Sequence, residues 1–297
     1  MREMLVDALD HLVLAVPRLA SAAERFERLG FVLSPTTAHP GMGTELRALF
    51  LGEGPGHAYI ELLAIRDEAE ARRIPGREAE FEVLARGGGL SRLFLATSRL
   101  GEALERLRAA GYPVAPTHVR RIDGSPVAST LAVPARDRLG AAVGLIEYAV
   151  PAERRWETRQ ANGLFAHRFP AVRLDHIAVI VDDVEAAARG WEELLGVATR
   201  GEVRTPAMVI RQLDAGNAVI ELIAPTGPES PVAVRPRGLV SMAAVEVPDV
   251  DEAVRLARER GFTVTDPSQG PLPGTRTATI PAGELAGMAL QLLQYER

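Results

Sequence analysis

The chain has 297 residues, of which 47% are hydrophobic and 25% charged, a balance that fits a folded globular protein with room for two domains. Its 34 basic and 39 acidic residues leave a net charge of −5 with no Lys/Arg run, which argues against nucleic acid as a partner. There is no cysteine, so disulfides and thiolate metal sites are excluded, and no uncharged apolar run approaches the roughly 18 residues of a membrane span.

The first residues, Met1-Arg2-Glu3-Met4-Leu5-Val6-Asp7, are broken by acids too often to read as a signal peptide, so the expected location is the cytoplasm. Leu9-Asp10-His11-Leu12-Val13-Leu14-Ala15-Val16 then opens a pattern that recurs along the chain. The apolar run predicts a strand over His11–Val16 and a helix over Ala20–Leu29, stopped by Gly30. Strands follow at Phe50-Leu51-Gly52 and Ala58–Leu63. Between them, His39-Pro40-Gly41-Met42-Gly43-Thr44 reads either as a loop over a cleft, with His39 as a polar contact, or as a plain turn. His57, in Gly54-Pro55-Gly56-His57, is expected in solvent at a hairpin tip.

A weaker copy begins at Gly89-Leu90-Ser91-Arg92-Leu93-Phe94, with a helix over Leu100–Ala110 and a last strand over Leu145–Val150. Gly87-Gly88-Gly89 is no phosphate loop, because no Gly-Lys-Ser/Thr follows. His118 and His167 lie in polar or linker contexts without a partner at metal-ligand spacing and read as structural, while the Arg120-Arg121 pair reads as solvated surface or as a contact for an anionic substrate. Pro151–Val172, with Trp156, Phe165, Asn162-Gly163 and Phe169-Pro170, reads as a linker that also carries His167. Leu174-Asp175-His176-Ile177-Ala178-Val179-Ile180-Val181 nearly duplicates the opening motif. Its helix is expected over Val184–Leu195 and its last strand over Ala218–Ala224. A fourth copy starts at Gly238, with a helix over Val250–Arg260 and a last strand over Ala289–Gln294. Four copies mean a duplicated folding unit. The expectation is an α+β fold of four βαβββ units, two in residues 1–150 and two in 173–297, joined by 151–172. Paired units of this kind make a curved mixed sheet around a cleft.

This arrangement resembles the vicinal oxygen chelate superfamily, which includes glyoxalase I, methylmalonyl-CoA epimerase, bleomycin-resistance proteins and extradiol dioxygenases. In the first half, Leu9–Val16, His39–Thr44 and Tyr59-Ile60-Glu61-Leu62 look like a glyoxalase-like domain. In the second, Arg204–Val209, Gly216–Pro225 and Ser230–Ala233 look like methylmalonyl-CoA epimerase.

The resemblance implies a divalent metal held by four side chains, from the first and last strands of each paired unit. Counting eight residues back from the apolar residue that opens each helix gives His11, Arg92, His176 and Met242. The last-strand positions are read as Glu61, Glu147, Glu221 and Gln291. The first half then offers His11, Glu61 and Glu147 as ligands for Fe, Mn, Ni or Zn. Arg92 cannot ligate, being always protonated. It would replace the metal's charge, bind a substrate carboxylate, or belong to a buried network with no chemistry. In the second half, Met242 is a poor partner for hard ions and Gln291 brings no charge. His176, Glu221, Met242 and Gln291 therefore read as a degenerate cleft.

The leading expectation is a lyase or isomerase that removes a proton next to a carbonyl, with Glu147 or Glu61 as base and with Arg92 and His39 binding the substrate. The rival is a metal-free binding protein of the resistance type. A dioxygenase is third, since neither half completes its two-His-one-carboxylate set. The expected partner is a small molecule, and whether units pair within the chain or in a homodimer stays open.

Overall fold

The computed structural model describes residues 3–296. Four βαβββ modules follow one another. The first holds β1 (Ala8–Ala15), α1 (Leu19–Leu29), β2 (Thr37–His39), β3 (Thr44–Leu51) and β4 (Ala58–Ile65), and leads into α2 (Glu68–Ala71) and α3 (Glu78–Leu84). The second holds β5 (Gly89–Ala96), α4 (Leu100–Ala109), β6 (Thr117–Arg120), β7 (Pro126–Val133), α5 (Arg136–Leu139) and β8 (Val143–Tyr148). After α6 (Ala152–Ala161), the third holds β9 (Arg173–Ile180), α7 (Val184–Leu195), β10 (Thr199–Arg204), β11 (Met208–Asp214) and β12 (Val219–Pro225). The fourth holds β13 (Gly238–Glu246), α8 (Val250–Glu259), β14 (Ser268–Gln269), β15 (Thr275–Ile280) and β16 (Ala289–Tyr295). Among the described residues no helix is long and apolar enough to cross a membrane.

The expected α+β fold of four βαβββ modules is present, in two curved eight-stranded mixed sheets. Their strand orders are β2-β3-β4-β1-β5-β8-β7-β6 and β10-β11-β12-β9-β13-β16-β15-β14. In every module the first and last strands run parallel, and the other two extend outward as antiparallel hairpins.

Local chemistry explains the elements. In α1, Leu19, Ala22, Ala23, Phe26 and Leu29 are buried, the i, i+3, i+4, i+7 stripe of a helix lying on a sheet. The helix stops at Gly30, whose φ of 102° is left-handed, and α7 stops the same way at Gly196. Leu12, Leu14, Ile60 and Leu62 form one fully buried face of β1 and β4. The opposite face carries His11, Tyr59 and Glu61, paired with Phe50 and Ala48 on β3.

Packing divides the chain into two compact units. One comprises the residues up to Asp10, Arg92–Ala149 and His176–Val240, so it combines the second and third modules. There Trp191 of α7 is fully buried and donates its indole N–H to the Leu139 carbonyl at 3.0 Å. Gly190 belongs to the same contact, since a Cβ there would lie 2.6 Å from the Arg138 oxygen. The other unit comprises His11–Ser91, Val150–Asp175 and the residues from Ser241 on, combining the first and fourth modules. In it the Ser241 hydroxyl accepts the Leu90 N–H at 2.9 Å and donates to the Gly287 carbonyl at 2.6 Å.

The segment read as a linker contains α6 and packs on the first module. Phe165 and Leu164 lie against Ala48, Phe50 and Tyr59. His57 is buried, contrary to the expectation of an exposed hairpin tip. Its Nδ1–H donates to the Gly54 carbonyl at 2.8 Å, and its Nε2 accepts from Arg159 of α6 at 2.5 Å. A hairpin tip reads as solvent only when nothing packs on it, and here Arg159 and Phe165 do.

Candidate functional site

In parallel strands, residues in register share a face, so the His11–Tyr59 and Val13–Glu61 pairings put His11, Tyr59 and Glu61 together. The His11 ring stacks on Tyr59 with centroids 4.5 Å apart and an 18° tilt. Its Nε2 lies 3.6 Å from Glu61 Oε2, and both residues are buried, 4% and 6% exposed. His39, at the end of β2, joins this group. Its Nδ1 lies 2.9 Å from the hydroxyl of buried Thr44. Burial holds the His39 pKa below its ordinary value against the opposing pull of Glu61, while Arg77 and His11 lower it further. His39 is therefore a neutral ring near pH 7, beside the His11–Glu61 pair.

The third module repeats the pair. His176 Nε2 lies 3.9 Å from Glu221 Oε2, and Glu221 also accepts an amide N–H from Gln212 at 3.1 Å. The residue equivalent to Gln212 on β3 is Ala48, so Glu61 lacks that amide donor.

Register corrects one assignment made by spacing. Glu61 pairs with Val13, Glu221 with Ala178 and Gln291 with Ala244, each partner two residues after the His11-type position. In the second module the residue two after Arg92 is Phe94, and it pairs with Gly144. Gly144, not Glu147, therefore holds the Glu61-type position. A Cβ there would lie 2.2 Å from the Phe94 ring, which occupies the space a ligand side chain would need. Glu147 is three residues on and faces the other way. Its carboxylate accepts the Leu100 N–H at the start of α4 at 3.4 Å, as Gln294 accepts the Val250 N–H at the start of α8 at 3.1 Å.

The neighbouring residues repeat this match. Tyr148 donates to Asp10 at 2.8 Å, and Tyr295 to Asp175 at 3.0 Å. The aspartate of each Leu-Asp-His motif is thus a strand-end acceptor. Burial beside Asp175 pushes the Tyr295 phenol up to about 12.

The residues present do not fit the expected divalent metal. At the four family positions the first half carries His11, Glu61, Arg92 and Gly144, which supply two donors where a stable site takes three or more. Arg92 is buried, with its guanidinium carbon 5.8 Å from the Phe94 ring centroid, and it belongs with Glu147 to the other compact unit. Among the described residues no group of three His, Cys, Asp or Glu side chains is placed to hold a metal ion. Met242 and Gln291 occupy the matching positions of the fourth module, both half-buried.

The profile of the glyoxalase-like domain matches residues 9–237. The chain belongs to the glyoxalase-like domain family. Its fold falls within the vicinal oxygen chelate superfamily. A variant of 4-hydroxymandelate synthase from Streptomyces coelicolor is 15% identical, and the match covers 99% of this chain and 94% of that one with a TM-score of 0.65. A hypothetical protein from Staphylococcus aureus is 13% identical over 96% of this chain and 98% of that one, with a TM-score of 0.62. Methylmalonyl-CoA epimerase from Mycobacterium tuberculosis is 22% identical over 44% of this chain and 92% of its own, with a TM-score of 0.40. A search of curated proteins gave no match. The two full-length likenesses establish the fold, while the chemistry rests on the site itself.

The repeats do not single out Tyr59, Arg77 or Arg159. Tyr59 was legible as the residue two before Glu61, hence on its face. Arg77, just before α3, and Arg159 of α6 lie outside the repeat.

Proposed function

We propose that this glyoxalase-like protein is a metal-independent isomerase or lyase acting on a small carbonyl compound. The observation that carries the reading is the buried His11–Glu61 pair, with 3.6 Å between Nε2 and Oε2. A carboxylate at that distance from an imidazole can take a proton from the carbon next to a carbonyl. The electron pair left behind moves onto the carbonyl oxygen, which an imidazole N–H of His11 stabilises. Return of the proton to the opposite face or to the neighbouring carbon gives an isomer, and loss of a group at the next carbon gives a lyase. Tyr59 fixes the plane of the His11 ring, and neutral His39 offers a further polar contact.

The test is proton exchange at the α-carbon, followed by NMR in D2O with EDTA present. Dihydroxyacetone, pyruvate and lactaldehyde serve as probes. Enzyme-dependent deuterium uptake is expected with at least one of them, falling by about 10²–10⁴ in Glu61→Gln, the usual worth of a positioned base. Uptake equal in Glu61→Gln and wild type would overturn the reading, as would no uptake with any probe. A probe that binds without exchanging would favour instead a metal-free binding protein.

A further inference from the structure

We propose that residues 152–165, helix α6 with the Leu164-Phe165 pair that follows it, form a lid over the His11–Glu61 site, latched by Arg159 on His57. The proposal rests on the proton-transfer reading only for the need of a substrate to reach that pair, and the lid is tested without substrate.

The reactive pair is closed off from solvent. His11 and Glu61 are buried, and their face of the sheet continues through Tyr59, Ala48 and Phe50, all buried as well. A substrate therefore enters only when a cover moves. Leu164 and Phe165 lie on Ala48, Phe50 and Tyr59. The Arg159 guanidinium carbon lies 4.2 Å from the Phe50 ring centroid and 5.5 Å from that of Tyr59. Tyr59 is also the ring on which His11 stacks, so cover and reactive pair meet at one side chain.

The cover is weakly held. None of residues 152–165 is buried. Trp156 is the one large apolar side chain of α6, and a helix that is polar nearly all round gains little by docking. Its hold is Arg159, which donates to His57 Nε2 at 2.5 Å, and Phe165, which meets the His57 ring edge-on with centroids 5.0 Å apart. One hydrogen bond and a few ring contacts are the anchorage of an element that opens locally. The chain around it is fixed. Past the lid, the Arg168 N–H donates to the Gly30 carbonyl at 2.8 Å and Phe169 is fully buried. The hairpin that carries His39 is tied to the start of α2, because the Arg66 and Asp67 N–H groups donate to the Gly43 carbonyl at 2.8 and 3.1 Å. A Cβ on Gly43 would lie 2.2 Å from the Asp67 oxygen, so that contact leaves no slack. The part free to swing is 152–165, about the fixed chain at Arg168-Phe169.

The chain has no cysteine, so one introduced thiol reports access by its reaction with the thiol reagent DTNB in the folded, full-length protein. Ala48→Cys places it beside Glu61, the strand partner of Ala48, and beneath Leu164 and Phe165. Ala23→Cys, buried on α1, is the control that reacts only through wider unfolding. The Ala48→Cys thiol is expected to react faster than the Ala23→Cys thiol and slower than a free thiol. Adding Arg159→Met, which keeps an apolar stem and removes the donor, is expected to speed Ala48→Cys by about tenfold and to leave Ala23→Cys unchanged. Arg159→Lys should fall between. Where Ala48→Cys melts below wild type, Leu46→Cys, which packs against the same cluster, takes its place. The lid is overturned if the Ala48→Cys thiol reacts no faster than the control, or as fast as a free thiol. The latch is overturned if Arg159→Met leaves the Ala48→Cys rate unchanged or speeds both thiols alike. Proton exchange enters none of these rates, so the lid and the proton-transfer reading can each fail alone.

Discussion

His167 shows what one side chain can hold together. Its Nδ1 accepts the Val32 N–H at 3.0 Å, its Nε2–H donates to the Phe50 carbonyl at 2.7 Å, and its ring meets Phe31 edge-on. Those partners admit only the neutral ring with hydrogen on Nε2, since a second ring N–H would point at the Val32 N–H. Burial lowers its pKa from the ordinary 6.5, and the Phe50 carbonyl only partly opposes this. His39 is lowered for the same first reason. A lowered histidine pKa stabilises the fold fully at pH values above the ordinary pKa, and that stability is lost as pH falls below it. Melting temperature is therefore expected to drop between about pH 7 and pH 5. His167→Gln should melt lower than wild type at pH 8 but lose less on acidification. Parallel melting curves for the two proteins across that range would show that His167 does not carry the effect. A histidine in a connecting segment, with no partner at metal-ligand spacing, reads as structural, but its particular partners were not legible, because Val32 and Phe50 meet it only in the fold.

At the scale of elements, α4 lacks a capping side chain of its own, because Arg99 makes none, whereas α7 and α8 have Asp183 and Asp249. Glu147 supplies the missing acceptor at the positive end of the helix dipole. Glu147→Ala should cost about 1 kcal/mol in denaturant unfolding, and Glu147→Gln a few tenths. Both should leave α-proton exchange unchanged. A collapse of exchange in Glu147→Gln with normal stability would restore Glu147 to the chemistry. Helix positions were legible from periodicity and the glycine stops, and α7 falls on Val184–Leu195 as expected. The first-strand positions were legible too, because the spacing to each helix is fixed. The last strands follow loops of different lengths, so spacing could not place Glu147. An apolar pair could have done so: Glu61-Leu62-Leu63, Glu221-Leu222-Ile223 and Gln291-Leu292-Leu293 align with Gly144-Leu145-Ile146. A glycine draws no attention in a search for polar residues, and a slip of three residues reverses the strand face.

At the scale of the whole molecule, strand pairing and helix packing bind different modules together. Each half of the sequence supplies the strands of one sheet. Each compact unit, in contrast, takes one module from either half. The contacts within one unit show how much this second kind of packing matters. Asn217 clamps Leu9, accepting its N–H and donating to its carbonyl, both at 2.9 Å. Arg138 pairs with Glu193, and Trp191 is buried over the Leu139 carbonyl. The halves 1–150 and 173–297 are natural domains by sequence, but separating them strips α7 of α5 and exposes a buried tryptophan, a loss of about 3–5 kcal/mol when such a side chain is deleted outright. The chain has two tryptophans, and 173–297 contains only Trp191, which makes the test clean. Fragment 173–297 alone is expected to emit at the long wavelengths of exposed indole and to melt without cooperativity. Full-length Trp156→Phe should emit at short wavelength. Mixing 173–297 with a Trp156→Phe form of fragment 1–172 should move the emission toward that of the intact chain. If 173–297 alone emits like the buried indole and melts in one cooperative step, the packing between halves is dispensable and the two halves are independent domains.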